Sequence, residues 1–193
     1  MLGLKLPTDP RWINIVEKDI EEILTDHAYC EQKAASNAIS IIVKFPNYPD
    51  VVDAMCELSK EEMEHFQMVH NELQKRGLKL GRERKDDYIH DLLSYIRKGG
   101  DEEQQFVERM LFAAMVEARS CERFRLLSEH ISDPDLKDFY RDLMESEARH
   151  YTLFLNFAKK YAKRIDVEKR WKEFLAYEAT LMEKYGKKGT IHG

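Results

Sequence analysis

Two short stretches of this chain place an acid and an imidazole three residues apart: Glu62-x-x-His65 in EEMEHF and Glu147-x-x-His150 in SEARHY. Residues at that spacing are neighbours on one helical face, so each pair presents a carboxylate beside an imidazole. Two more glutamates, Glu31 in DHAYCEQKAAS and Glu117 in VEARSCERF, interrupt apolar stripes where an alanine or a leucine is expected. One Glu-x-x-His pair carries little weight, since 7 His and 22 Glu in 193 residues supply about one such pair by chance.

Four carboxylates gathered in one core would repel and resist desolvation, and their pKa values would climb. A pair of divalent or trivalent cations removes that problem. Carboxylate and imidazole donors suit iron or manganese, and the lack of a thiolate donor argues against structural zinc. One Glu from each of two helices plus Glu-x-x-His from two others is the ligand pattern of di-iron and di-manganese carboxylate bundles.

The elements that must position these groups are helical throughout. Thr8-Asp9-Pro10 reads as a helix start, and a helical apolar period then runs to about Lys44. A second helix is predicted from about Pro49 to Arg76, ended by Gly77. The connection after it holds a short helix, roughly Asp86 to Arg97, stopped by Gly99-Gly100. A third long helix runs from Asp101 to about His130. The fourth starts at Ser132-Asp133-Pro134 and runs to about Lys163, and a last helix spans Asp166 to Tyr185 before a Gly-Lys tail expected to fray. No strand pattern competes. Two long antiparallel helix pairs joined by a crossover describe an all-α, ferritin-like four-helix bundle with an extra C-terminal helix. It forms a single domain over 1–193, with the bundle at about 9–163 and the last helix at about 166–185.

Register supports the pattern. Glu31 lies 13 residues before Lys44 and Glu62 lies 13 after Pro49; Glu117 lies 13 before His130 and Glu147 lies 13 after Pro134. Thirteen residues rise roughly 20 Å in a helix, so each glutamate meets its partner at one height across its hairpin. The spacings Glu31 to Glu62 and Glu117 to Glu147, 31 and 30 residues, are those of a duplicated hairpin.

Composition narrows the setting. Three cysteines, Cys30, Cys56 and Cys121, are an odd number on separate segments, which argues against a disulfide framework. No run of 18 apolar residues and no signal-peptide core occurs, so a reduced cytoplasmic protein is expected. The net charge of −5 is uneven: residues 158–193 carry ten Lys/Arg against five Asp/Glu. Within AKKYAKRIDVEKRWK, 158–172, seven basic residues interleave with Tyr161 and Trp171, a composition that suits RNA and equally suits a solvated helix end.

The stretches DHAYCEQKAAS, EEMEHF, VEARSCERF and SEARHY resemble the tRNA-(2-methylthio-N6-isopentenyladenosine) hydroxylases, the MiaE-like family of the ferritin-like di-iron superfamily. The resemblance spans about residues 9–160. It implies a non-haem di-iron monooxygenase that uses dioxygen and two external electrons to hydroxylate the isopentenyl group beside the tRNA anticodon, with Glu31, Glu62, His65, Glu117, Glu147 and His150 as iron ligands. The electron donor and the oligomeric state stay open. Many di-iron proteins place Asp directly before Glu-x-x-His to hold the histidine of the facing helix. Here Glu61 and Ser146 stand there, leaving Asp142 as a candidate partner of His65.

Other residues near the ligands admit two readings. His27 is a donor to Glu31 or a core histidine. Cys121 faces a dioxygen pocket or is a small core residue. Ala34, Ala38, Ala113, Ala114 and Ser120 leave room for a prenyl group or permit close packing. Arg119 and Arg123 meet RNA phosphate or bridge to Glu122 or Asp142, and Lys159, Lys160, Lys163 and Arg164 are the remaining RNA-contact candidates. Two other classes compete: a ferritin- or rubrerythrin-like iron oxidase or peroxide scavenger, though without CxxC pairs of its own, and a metal-free helical interaction protein.

Overall fold

The structure, a computed structural model, describes residues 2–192, and those residues are all helix, turn and loop. A 3-10 turn, Pro10–Trp12, leads into α1, Ile13–Val16; then follow α2 Ile20–Lys44, α3 Pro49–Lys75, α4 Asp87–Ser94, α5 Glu102–His130, α6 Pro134–Tyr161 and α7 Val167–Tyr185. No helix among the described residues is long and apolar enough to cross a membrane. The chain forms two compact units. One comprises residues 1–17, 86–188 and 192–193; the other comprises 18–85 and 189–191.

The second unit is the α2/α3 hairpin. Asp19 caps α2 by accepting from Glu22 N, and Pro49 opens α3 in its first turn, where a missing N–H costs nothing. Gly77 follows α3 with φ 69°, the left-handed conformation that ends many helices. The buried positions of α3 are Val51, Met55, Leu58, Glu62, His65, Val69 and Leu73, spaced throughout by three or four residues. The chain after α3 returns along α2: Tyr29 OH donates to Gly81 O at 3.0 Å, Gly81 N donates to Thr25 Oγ1 at 3.2 Å, and Arg84 grips Glu22.

The first unit is built on α5, which packs against α6 and also against α1, α4 and α7. Twenty of its residues are buried, so it has no broad solvent face. Burial on all sides forces its charged residues to find partners. Glu108 receives Arg170 through two nitrogens, Nε at 2.7 Å and Nη2 at 2.8 Å, and the guanidinium also lies over the Tyr95 and Phe174 rings.

Three expectations need correction. The first long helix is broken at Glu17–Asp19, because the Asp19 side chain takes an amide that an uninterrupted helix would bond otherwise, and the boundary between the units falls there. The short helix stops at Ser94, well before the glycine pair, with Tyr95 N and Ile96 N closing three-residue turns on Leu92 and Leu93. The tail is held: Lys188 O accepts from Trp12 Nε1 at 2.8 Å, Ile191 N donates to Asp26 at 2.7 Å, and His192 stacks on Tyr88. The other helix ends lie within two residues of expectation.

Removing one half of a buried ion pair strands the other half. Arg170→Met is expected to cost about 3–5 kcal/mol in urea unfolding, and adding Glu108→Leu to recover most of the loss. A single-variant cost within the noise would show that Glu108 finds solvent without Arg170.

Candidate metal centre

In the α2/α3 hairpin, Glu31, Glu62 and His65 are buried at 4%, 0% and 5% exposure, and each offers a ligand atom within 4.8 Å of the others. His65 Nδ1 lies 3.2 Å from Glu62 Oε2 and 4.0 Å from Glu31 Oε2. His27, fully buried one turn before Glu31, places Nε2 2.5 Å from Glu31 Oε1. His27 is thus a fully buried histidine in contact with Glu31, an arrangement that both of its readings allow.

The α5/α6 hairpin repeats the arrangement. Glu117, Glu147 and His150 are buried and likewise offer ligand atoms within 4.8 Å of one another; His150 Nδ1 lies 3.9 Å from Glu147 Oε1. The repetition is positional. The buried stripe of α6 is Leu136, Tyr140, Leu143, Glu147, His150 and Phe154, each 85 residues beyond its counterpart Val51, Met55, Leu58, Glu62, His65 and Val69 in α3. Glu117 stands 86 beyond Glu31, flanked by buried Ala114 and Cys121 where α2 has Ala28 and Ala35. Two carboxylates and one imidazole in each hairpin are an oxygen-rich donor set that fits iron or manganese.

The surroundings sort the remaining candidates. Glu61, expected to serve a histidine of the facing helix, stands 3.9 Å from His65 Nε2 on its own helix. Asp142, put forward as the partner of His65, is exposed on α6, and Ser146 accepts from Arg149 at 2.9 Å. Ala38, Ala113 and Ala114 are buried and Ala34 half-buried, whereas Ser120 is spent on the tail, its Oγ 3.1 Å from His192 Nε2.

Arg119 and Arg123 do not face RNA, because both are fully buried. Arg119 binds Glu178 through Nε at 2.8 Å, Glu122 at 2.9 Å and the Leu6 carbonyl at 3.0 Å. Burial works against its charge, and Glu178, Tyr88 and Glu122 more than offset this, holding its pKa above the ordinary value. Arg123 lies 4.1 Å over the Trp12 ring, and burial lowers its pKa to about 9. Sequence reasoning missed Glu178, the acid that anchors this network from the apolar stripe of α7. Lys159, Lys160, Lys163 and Arg164 are all exposed, with Arg164 paired to Asp101 and Glu103.

The family model described as tRNA-(MS[2]IO[6]A)-hydroxylase (MiaE) matches residues 2–193. The chain belongs to this family. The Pseudomonas putida tRNA 2-(methylsulfanyl)-N(6)-isopentenyladenosine(37) hydroxylase is 37% identical over 164 residues, covering 85% of this chain and 78% of its own. The Salmonella typhimurium protein of the same name is 28% identical, covering 93% and 83%. Among solved structures, Protein 43 with aldehyde deformylating oxygenase activity from Synechococcus superposes with TM-score 0.91 at 34% identity, over 98% of this chain and 95% of its own. The fold is all-α and ferritin-like, as the helix pattern implied.

Cys121 is buried one turn beyond Glu117, its Sγ 3.5 Å from the Met144 carbonyl, and it lines a cavity of about 370 Å³ with Leu4, Met144 and Ala148. Burial pushes its thiol up to about 11. At pH 8 the native thiolate fraction is therefore on the order of a thousandth. Iodoacetamide at that pH is expected to mark half-buried Cys56 while leaving Cys121 largely unmodified, as read by peptide mass spectrometry; equal labelling would refute the burial argument.

Proposed function

We propose that this chain hydroxylates the isopentenyl group of 2-methylthio-N6-isopentenyladenosine beside the tRNA anticodon. It would use two iron ions, dioxygen and electrons from an external donor. The observation that carries this reading is the position-for-position repeat of two glutamates and a histidine in the buried stripes of two hairpins, in a chain of the MiaE family.

The two hairpins act together as one domain over 1–193, Glu31, Glu62 and His65 from one and Glu117, Glu147 and His150 from the other holding the iron pair. Four carboxylates and two neutral imidazoles balance two divalent ions, which is what makes four buried acids tolerable. When bound, the iron pair supplies the oxidising power that insertion into an unactivated C–H requires. His27 positions the Glu31 carboxylate through Oε1, and the apolar walls of both stripes exclude water. Exposed Lys159, Lys160, Lys163 and Arg164 contact RNA phosphate, and the substrate places the protein in the cytoplasm. A second reading, deformylating oxygenation of an aldehyde by the same donors, is favoured by the name and close superposition of the Synechococcus protein.

The test is anaerobic loading with ferrous iron, counting of metal per chain, and nucleoside analysis of tRNA bearing the isopentenyl group after addition of reductant and air. About two irons and a hydroxylated nucleoside are expected. Glu31→Ala should lose iron and product together. A folded protein that takes up no iron would sink the proposal. Full iron with unchanged tRNA would sink the substrate and leave the aldehyde to be tried.

A further inference from the structure

Between α6 and α7 the surface opens into a cleft of about 300 Å³. Leu2, Leu155 and Leu175 form its apolar wall, and Tyr151 and Trp171 contribute rings whose centroids lie 5.9 Å apart at 52°. Lys159 and Lys172, both exposed, stand at its edge. Glu168 is the one acid among the lining residues, 3.9 Å from Lys159. Tyr151 follows His150 directly, so the cleft begins on the helix that carries two of the six candidate metal-binding residues. A half-buried indole beside two exposed ammonium groups has the make-up of a site for an unstacked base with its flanking phosphates. The volume is at the small end for ligand pockets and suits one base, not a second helix.

We infer that this cleft receives a nucleotide of the substrate's anticodon loop, one base against Trp171 and the adjoining phosphates on Lys159 and Lys172. The inference rests on the tRNA reading given above and assigns its contact surface. Sequence-independent stacking suits it, because the cleft offers rings and charges and lacks a buried amide or carboxylate to read a base edge. Lys159 must exchange Glu168 for phosphate, an exchange between exposed partners that costs little.

The experiment uses the iron-loaded protein and an unmodified anticodon stem–loop RNA, with binding followed by anisotropy across a salt series and by tryptophan fluorescence. Trp171→Ala is expected to weaken binding about tenfold, while Trp171→Phe keeps most of the affinity and loses the fluorescence quench, since Trp12 is buried. Lys159→Gln with Lys172→Gln should flatten the salt slope by about 1.4, the share of two single-strand phosphates. Iron content and helicity in each variant show that the fold is intact. Wild-type affinity and slope in these variants, with tRNA still hydroxylated, would overturn the cleft and leave the function standing. RNA held by the cleft, with isopentenyl-bearing tRNA left unhydroxylated by the iron-loaded protein, would support the cleft and overturn the function. No RNA binding by the unaltered protein overturns the cleft.

Discussion

Burying a carboxylate in a helical core is the constraint on which this protein's construction turns. An isolated charge there is costly, and the chain answers it in two ways. Glu108 and Glu178 are each met by a guanidinium, Arg170 and Arg119, and those arginines donate further hydrogen bonds to backbone carbonyls. The glutamates of the two hairpin stripes are placed with imidazoles instead: Glu31 with His27 and His65, Glu62 with His65, Glu147 with His150. A guanidinium is permanently charged and closes its site. An imidazole does not close its site in that way, and carboxylates placed beside imidazoles form a donor set that suits metals.

The distinction also shows why an acid in an apolar stripe is a weak signal when taken alone. Glu178, between Phe174 and Leu181 in α7, satisfies that criterion as well as Glu117 does, and it forms an ion pair with an arginine 59 residues away. What separated the four hairpin glutamates was their shared height, 13 residues from a helix end in every case, and the histidine that follows two of them by three. Two of the helix ends that set this height were legible because Pro49 and Asp133-Pro134 punctuate the chain through backbone chemistry that does not depend on tertiary context.

Much else was not legible, for physical reasons. The break before α2 was hidden because Val16 and Ile20 keep the helical period across it, although Asp19 followed three residues later by Glu22 has the form of a capping box. Arginine is ordinarily a surface residue, and its burial requires a partner that local pattern does not reveal. Arg119 draws its partners from Leu6, Thr8 and Glu178, and Arg123 lies on Trp12, at separations from 59 to 113 residues. The tail was misjudged likewise. Its glycines and lysines suggest fraying, yet Ile191 and His192 are buried and bonded to residues far away in the chain.

These long-range ties have a consequence for the candidate centre. Ser120 lies one turn from Glu117 and is bonded to His192, whose other nitrogen faces Asp86, the cap of α4. Arg119, two residues from Glu117, is tied to the N-terminal segment and to α7. The stretch of α5 that carries Glu117 is thus fixed on its outer side by both ends of the chain, and a fixed helix presents its inward carboxylate in one position. A carboxylate held in place beforehand needs no ordering when it takes part in binding. The buried arginine network outside the stripe and the histidine-lined glutamates within it therefore belong to one design. The first holds rigid the helix on which the second depends.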